Sequence, residues 1–171
     1  RSINNGPHHL ELKNSTAGII GYGHIGREVA RRCKAFDMRV MAISRNPKDE
    51  GDLVDWYGRI EELEELLKES DFIIVCLPGG DETRGIINAR EFKQMKSGAV
   101  IANVGRGEVI DEAAFYDALA SRRIRGAIID VWYNYPSAEE SNPWPSRFPV
   151  QKLDNVIMSP HNSAWTSAMS N

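Results

Sequence analysis

The sequence predicts an α/β domain with a doubly wound parallel sheet and helices on both faces. Along residues 16–165, short apolar runs alternate with amphipathic stretches, and repeated strand–helix–strand units are typical of this class. The run Phe72-Ile73-Ile74-Val75 is continuously apolar, as expected for a strand that is buried on both faces of a parallel sheet. The order of the elements and the apolar character of the strands together predict the fold class.

The composition is that of an ordinary globular chain and argues against several classes. Its 171 residues are 42% hydrophobic and 26% charged, which is enough for one sizeable core. The net charge of -3 argues against a nucleic-acid partner, and no apolar run approaches the roughly 20 residues of a membrane helix. Cys33 and Cys76 form no C-x-x-C pair, so we expect no metal site, no disulfide framework and a reducing, cytoplasmic location.

The first half of the chain contains three predicted strands and two predicted helices. In order, we expect strand 17–20, helix 24–36, strand 38–43, a polar loop over 45–59, helix 60–69 and strand 71–77. Ile25, Val29 and Cys33 recur every four residues and predict the buried face of the first helix. Leu63, Leu66 and Leu67 are expected to face inward from the second helix.

The second half continues the alternation and then becomes irregular. We expect a helix capped by Asn88 and running to about 95, strand 99–104, a helix from Asp111 to near 123, and strands 124–130 and 155–158. Residues 132–152 contain four prolines and predict a long irregular segment. A loop of this length in a compact domain is usually functional or a domain contact.

A glycine-rich turn joins the first strand to the first helix. Residues 21–26 match G-x-G-x-x-G, and this placement between a strand and a helix predicts a Rossmann-type dinucleotide-binding domain. Gly21 allows a tight turn, Gly23 lets a pyrophosphate approach the backbone, and Gly26 lets the helix pack closely on the strand. The helix start at His24 and Ile25 offers free amides to the phosphates. The alternative is a glycine-rich turn without a ligand.

The end of the second strand bears on which dinucleotide binds. An NAD site usually has Asp or Glu about 20 residues beyond the glycines, where it holds the ribose hydroxyls. Ser44 stands there instead, and Arg45 follows it. Because a guanidinium pairs well with a phosphate, NADP is favoured over NAD, with Lys48 as a possible second cation. The alternative is that Arg45 is a solvated loop cation.

Several further motifs accompany the glycine turn in a fixed order. They are Leu77-Pro78, Glu82-Thr83-Arg84-Gly85, the run 103–111 (Asn-Val-Gly-Arg-Gly-Glu-Val-Ile-Asp), the run 126–132 (Gly-Ala-Ile-Ile-Asp-Val-Trp) and Ser159-Pro160-His161. Over about residues 10–165 the chain resembles the D-isomer-specific 2-hydroxyacid dehydrogenases. The resemblance implies a lead-in segment from the interdomain region over 1–15, a dinucleotide-binding domain over 16–165, and over 166–171 the start of the return to a missing substrate domain.

The resemblance also implies roles for individual residues. Arg106 is expected to bind the substrate carboxylate and polarise its ketone, and His161 is expected to be the acid/base. Asp130 is expected near the nicotinamide carboxamide, whereas His8 and His9 are expected to be solvated. The remaining residues that match cofactor-lining positions are Leu77, Pro78, Thr83, Val104 and Gly105.

The chain departs from the family pattern at two places. Tyr135 stands where the family has a Glu that hydrogen-bonds the catalytic histidine, and a neutral phenol supplies no negative charge. Glu139 or Glu140 is an alternative partner for the imidazole. Gly79 and Gly80 stand where a larger residue and a Thr are common, which predicts a more flexible loop that is less polar toward the cofactor.

Three functions remain open on the sequence. The first is hydride transfer between NAD(P)H and a small 2-oxo or 2-hydroxy acid, in a protein that is a homodimer. The second is a dinucleotide-sensing binding protein like the corepressor relatives of the family, which the loss of the Glu at Tyr135 favours. The third is an unrelated Rossmann domain, which the Arg106 and His161 motifs disfavour.

Overall fold

The computed structural model describes residues 11–47 and 51–165. It confirms the α/β class with one parallel sheet of seven strands and four α-helices in the described ranges. The strands are β1 (Thr16–Ile20), β2 (Arg39–Ile43), β3 (Trp56–Gly58), β4 (Phe72–Val75), β5 (Val100–Asn103), β6 (Gly126–Ile129) and β7 (Val156–Met158). The helices are α1 (His24–Ala35), α2 (Leu63–Glu69), α3 (Ala89–Gln94) and α4 (Glu112–Ala120).

The strand order places the natural ligand crevice next to β1. The sheet runs β3-β2-β1-β4-β5-β6-β7, and every described pair of neighbours is parallel. The order reverses between β1 and β4, because the chain leaves β1 toward β2 and returns on its other side. Ligands of open α/β sheets bind outside the carboxyl ends of the strands at such a reversal. All seven strands end at this same edge of the sheet, called the carboxyl edge below.

Helices pack on both faces of the sheet, as the doubly wound class requires. Alternate residues of a strand face opposite sides, so Ile19 packs with Ala30 of α1, whereas Ile20 joins the core under α2, α3 and α4. On the α1 face, the strands near the β7 edge carry exposed isoleucines, Ile128 at 45% and Ile157 at 65%. This apolar strip faces away from the larger core.

The predicted loop over 45–59 is wrong in part, because it contains strand β3 and a 3-10 turn at Gly51–Leu53. Trp56–Gly58 pairs in parallel with β2 at the sheet edge. Trp56 packs against the core beneath α2, and Tyr57 packs on the α1 face. Three residues are too few to show the alternation of a strand in the sequence. The packing of the two aromatic side chains on opposite faces becomes visible only in the structure.

The predicted buried face of α1 is also wrong at its first residue. Ile25 is 55% exposed, whereas Gly26 and Ala30 are buried and Val29 and Cys33 are half-buried. The helix therefore packs closest where it has the smallest side chains. In the second predicted helix, a 3-10 turn at Ile60–Glu62 precedes α2, and the three leucines of α2 are buried as predicted.

The later elements follow the predictions closely. The side chain of Asn88 accepts a hydrogen bond from the Arg90 amide, and Asp111 accepts one from the Ala114 amide, so both act as helix N-caps. Residues 132–152 are irregular except for a 3-10 turn at Val150–Lys152. In the described part of the chain, no helix combines the length and the apolar character that crossing a bilayer requires.

Candidate functional site

The carboxyl edge gathers the sequence-predicted site residues. The glycine turn follows β1, Ser44 and Arg45 follow β2, Leu77 and Pro78 follow β4, Val104 to Arg106 follow β5, Asp130 follows β6, and His161 follows β7. Residues from six separate strand ends therefore lie along one line of the sheet. Lys48, His8 and His9 lie outside the described residues.

The glycine turn brings the start of α1 close to β1. Gly21 has a φ of +99°, a conformation that favours glycine. A Cβ at Gly26 would overlap the Gly21 carbonyl oxygen and lie 3.2 Å from the Ile19 side chain. The first helical hydrogen bond runs from the Arg27 amide to the Gly23 carbonyl. The two outer glycines are thus required by packing within the protein itself.

The middle glycine faces open space. No protein atom in the described ranges lies within 4 Å of a Cβ built on Gly23. All residues of helix α1 lie in the described range, and its first turn has no acidic residue and no side-chain cap. The first amides of the helix and the positive end of its dipole are therefore available to an anion. This geometry fits a dinucleotide pyrophosphate, which would approach the Gly23 backbone and the amides of His24 and Ile25.

The side chains of His24 and Ile25 contribute to a different surface. They line a shallow depression on the outer side of α1, together with Glu28 and Val29. We therefore expect these two residues to meet a dinucleotide through their backbone amides. The sequence motif does not distinguish amide from side-chain contacts.

A cleft of about 630 Å³ opens beside the glycine turn. Its lining includes seven of the predicted cofactor residues, namely Gly21, Gly23, Ser44, Arg45, Leu77, Pro78 and Thr83. It also includes residues that the sequence analysis did not assign, namely Tyr22, Arg27, Ile43, Asn46, Tyr57, Ile60, Cys76, Glu82 and Ile86. These come from five chain segments that only the strand order brings together.

The far end of the cleft carries the polar groups that would meet an adenosine ribose. The Ser44 and Tyr57 hydroxyls lie 2.9 Å apart. The Arg45 guanidinium lies 3.7 Å from the Glu82 carboxylate across the cleft mouth, and both side chains are 81% exposed. On the inner side, the Arg27 guanidinium lies 5.5 Å from the centre of the Tyr22 ring. Two arginines therefore stand at the cleft, one exposed and one over an aromatic ring.

The floor of the cleft is apolar and unreactive. Burial raises the pKa of the Cys76 thiol to about 11, so this thiol stays protonated at neutral pH and is a wall rather than a nucleophile. Leu77 and Ile86 pack against the larger core beneath it. Such a floor suits the flat face of an adenine ring.

A buried asparagine shapes the turn that carries Arg106. Val104 continues the ladder through its amide to the Val75 carbonyl. Asn103 is 1% exposed; its side chain accepts from the Gly105 amide at 3.0 Å and donates to the Arg106 carbonyl at 2.9 Å. The exposed Arg106 guanidinium donates to the Gly105 carbonyl and forms no ion pair within the described residues. Its charge is therefore available to an anionic ligand.

Trp132 connects the Arg106 turn to the His161 turn. A Cβ at Gly107 would overlap the Trp132 carbonyl group, so the chain after Arg106 lies directly on the Trp132 backbone. The Trp132 indole donates to the Ser159 carbonyl at 2.8 Å. The indole is 6% exposed, which makes this a rigid bridge between the two predicted catalytic turns.

Tyr135 packs against His161 with its ring and does not hydrogen-bond it. The ring centres lie 5.4 Å apart, and the Tyr135 hydroxyl accepts from the Trp132 amide at 2.9 Å. The amides of Glu139 and Glu140 bind the Ser137 hydroxyl, and neither carboxylate pairs with His161 in the described part of the chain. The suggested hydrogen-bonding roles of Tyr135 and these glutamates are therefore not formed here.

Asp130 holds the turn that carries His161. Its carboxylate is 4% exposed and accepts hydrogen bonds from the Ser159 hydroxyl, the Asn162 amide, and both the amide and the hydroxyl of Ser163. Burial alone would raise the pKa of Asp130, but these hydrogen bonds outweigh it and lower the pKa below its ordinary value. His161 itself has a φ of +57°. In this structure the carboxylate binds the His161 turn with both oxygens, which differs from the cofactor contact that the resemblance implies.

A second buried carboxylate fixes the irregular segment 132–152. Glu112 is 7% exposed at the start of α4 and accepts from the Ser146 hydroxyl, the Arg147 amide and the Arg147 guanidinium at 2.6–2.9 Å. Burial opposes ionisation, but these donors lower the pKa of Glu112 overall. The segment that carries Tyr135 is thereby anchored to the core at its far end.

The fold, the open glycine cradle and the cleft define a dinucleotide-binding domain of the Rossmann type. The chain belongs to the D-isomer specific 2-hydroxyacid dehydrogenase family, because the NAD binding domain of that family matches residues 2–163. Within the described ranges, no group of three or more His, Cys, Asp or Glu side chains is placed to hold a metal ion.

Three known proteins illustrate the similarity. The chain is 37% identical over 158 residues to D-3-phosphoglycerate dehydrogenase of Archaeoglobus fulgidus, covering 92% of the chain and 28% of that protein. It is 39% identical over 156 residues to glyoxylate reductase of Pyrococcus furiosus, covering 91% and 44%. A Xanthobacter autotrophicus D-isomer specific 2-hydroxyacid dehydrogenase, solved with NADPH and MES, is 33% identical with a TM-score of 0.80, covering 91% and 47%.

The chain spans between about a quarter and a half of the length of these proteins. All three carry the names of dehydrogenases or reductases, and none supports the corepressor alternative. The comparisons agree with NAD(P) binding and leave the choice between the two dinucleotides open.

Replacing Gly23 by alanine separates the ligand from the fold. We expect Gly23→Ala to change the melting temperature by less than about 2 °C, since the added Cβ meets no protein atom. The dissociation constant for NADH or NADPH should rise about tenfold or more, because the Cβ occupies the space of the pyrophosphate. Calorimetric titration measures the affinity, and Gly98→Ala, also in open space, is the matched control. Unchanged affinity in Gly23→Ala would contradict the cradle.

The hydrogen-bonded Asp130 carboxylate predicts a pH-dependent stability. Because its pKa is lowered in the folded state, its contribution is full above its ordinary pKa of 3.8 and is lost as the pH falls through the folded value. We expect Asp130→Asn to lose about 1–3 kcal/mol at neutral pH and to approach the parent protein as the pH falls below the lowered pKa of the folded state. Urea titrations across this range check it, with the exposed Asp52→Asn as control. A deficit that is constant with pH would refute it.

Proposed function

We propose that the chain is the nucleotide-binding part of an oxidoreductase that transfers a hydride between NAD(P)H and a small 2-oxo or 2-hydroxy acid. The observation that carries the proposal is the shared carboxyl edge, where the open Gly23 cradle, the Arg106 turn and the His161 turn lie together. The dinucleotide supplies the hydride when it is bound. Two of the relatives are named as a dehydrogenase and a reductase, which supports the assignment.

Arg106 would anchor and polarise the acid. A planar guanidinium can hold a carboxylate with two parallel hydrogen bonds, and the Arg106 charge has no ion-pair partner among the described residues. Its turn is fixed by Asn103 and by the Trp132 backbone. A fixed cation at this point would orient the carboxylate and withdraw electron density from the adjacent ketone.

His161 would exchange the proton on the substrate oxygen. An imidazole can donate to the carbonyl oxygen during reduction and accept the proton back during oxidation. Asp130 and Trp132 hold its turn through Ser159, so the imidazole is positioned from below. Tyr135 supplies a ring contact in place of the family's charged partner.

The dinucleotide is proposed to be NADP rather than NAD. Ser44 leaves the ribose end without the carboxylate that usually holds both ribose hydroxyls, and Arg45 stands at the cleft mouth with its side chain largely exposed. A 2′-phosphate would have to displace Glu82 from Arg45. A fork of two hydrogen bonds to a phosphate outcompetes one exposed carboxylate at 3.7 Å.

The remaining expectations concern the whole protein. We propose that residues 1–15 and 166–171 connect this domain to a substrate domain, and that the chain alone binds dinucleotide without turnover. A homodimer and a cytoplasmic location stay predictions. The exposed Trp144 in the irregular segment and the exposed isoleucines of the apolar strip are surfaces that a subunit contact would bury.

Replacing His161 tests the proposed chemistry. In the full-length protein with a panel of 2-oxo acids, His161→Ala should lower turnover about 100-fold or more. The affinity for NADPH should change less than about twofold, because the imidazole acts on the substrate oxygen and not on the dinucleotide. Steady-state oxidation of the cofactor and titration of the same preparation give both numbers. Undiminished turnover would exclude the acid/base role, and a parent protein without turnover would refute the enzyme.

Replacing Arg45 tests the choice of dinucleotide. Arg45→Ala should weaken NADPH binding roughly tenfold and NADH binding less than about twofold, since only NADPH carries the 2′-phosphate. The difference should shrink in high salt. Arg125→Ala, an exposed arginine at the opposite edge of the sheet, is the control. Equal weakening of both dinucleotides would show that Arg45 does not read the phosphate.

A further inference from the structure

Glu108 joins two parts of the site that come from different strand ends. It lies in the 3-10 turn Gly107–Val109, directly after Arg106. Its Oε1 accepts from the Gly80 amide at 3.1 Å, and its Oε2 lies 2.6 Å from the Arg84 guanidinium. Its backbone carbonyl accepts from the Gly85 amide at 2.8 Å. One residue of the Arg106 turn therefore holds the loop after β4 at three points.

The loop held by Glu108 is a wall of the dinucleotide cleft. Pro78, Glu82 and Thr83 of this loop line the cleft. The loop is folded around Gly80, whose carbonyl accepts from the Thr83 and Arg84 amides at 3.0 and 2.9 Å. The Thr83 hydroxyl also donates to the Pro78 carbonyl at 2.8 Å. The position of the whole wall thus depends on how the Gly80 end is fastened.

The Glu108 side chain also explains why residue 79 is a glycine. A Cβ at Gly79 would overlap the Glu108 Oε1 and lie 3.2 Å from the Arg106 Cγ. The Glu108 carboxylate fills the space that a side chain at Gly79 would need. The glycine pair that departs from the family pattern is therefore matched by Glu108, and the loop is fastened by a charged side chain where the sequence predicted flexibility.

We propose that Glu108 is a positioning residue that fixes the Arg106 turn to the dinucleotide wall, and that Gly79 is glycine because this carboxylate takes its side-chain space. The inference rests on the proposed function where the KM for the 2-oxo acid is measured. The measurement of NADPH affinity does not depend on that function. Both oxygens of Glu108 are engaged by Gly80 and Arg84, so we assign it a positioning role and not a catalytic one. Glu108 acts by setting the distance between the loop after β4, which lines the dinucleotide cleft, and the Arg106 guanidinium, which would bind the substrate.

A double-mutant cycle between Glu108 and Gly79 tests the proposal on the chain itself. Glu108→Ala should weaken NADPH binding about threefold to tenfold, and Glu108→Gln, which keeps the acceptor for Gly80, should lose less. Gly79→Ala should weaken binding in the parent chain and have a smaller effect in Glu108→Ala, because the overlap with the carboxylate is gone and only the 3.2 Å contact with the Arg106 Cγ remains. Glu65→Ala, an exposed glutamate of α2 that does not line the cleft, is the control. Equal effects of Gly79→Ala in both backgrounds would overturn the proposal.

Kinetics of the full-length protein supply the readout that a purely structural role would not change. Glu108→Ala should raise the KM for the 2-oxo acid about tenfold with a smaller loss of kcat. The reason is that the substrate-binding Arg106 is displaced, whereas His161 is not. A lower melting temperature with unchanged NADPH affinity and unchanged KM would show that Glu108 is structural only. A parent protein that binds NADPH without turnover would defeat the proposed function, while the binding cycle would still decide the role of Glu108.

Discussion

The site depends on one close approach between a helix and a strand. The Cα of Gly26 lies so near the Gly21 carbonyl that no side chain fits between them, and this packing brings the start of α1 over the end of β1. The leading amides of α1 are then aimed at the space in front of Gly23, which no described protein atom fills. A helix start that is packed on one side and open on the other presents unpaired amides and a positive dipole end, which together favour an anion.

The second constraint is the parallel order of the strands. Because every described pair is parallel, groups far apart in the sequence end at one edge, and short-range contacts then fix their relative positions. Trp132 lies under both the Arg106 turn and the His161 turn, and Asp130 holds the latter from the interior. Buried carboxylates that are fully hydrogen-bonded make such turns rigid, since breaking one bond exposes an unsatisfied charge.

The sequence predicted the fold well where the signal is periodic and poorly where it is short. The apolar runs of β1, β2, β4, β5 and β6 and the caps at Asn88 and Asp111 were recognisable from local pattern and chemistry. Strand β3 was missed because three edge residues carry no period, and Ile25 was misassigned because the helix packs through Gly26 and Ala30 instead. Spacing alone does not show which apolar residue of a helix start meets the sheet.

The site could be predicted only as far as its motifs extend. Gly21, Arg106 and His161 belong to local motifs, whereas Tyr57 and Ile60 join the cleft through the strand order. The contact between Tyr135 and His161 could not be read from the sequence, because it depends on the Tyr135 hydroxyl binding the Trp132 amide and on the ring then packing against the imidazole.

The most direct test of the central claim is a titration of the isotope-labelled chain with NADPH, followed by amide chemical shifts. The cradle predicts the largest changes at the amides of Gly23, His24 and Ile25, with smaller ones along the cleft wall at Leu77 and Thr83. Shifts confined to other surfaces, or no saturable shift at any concentration near physiological levels, would contradict it.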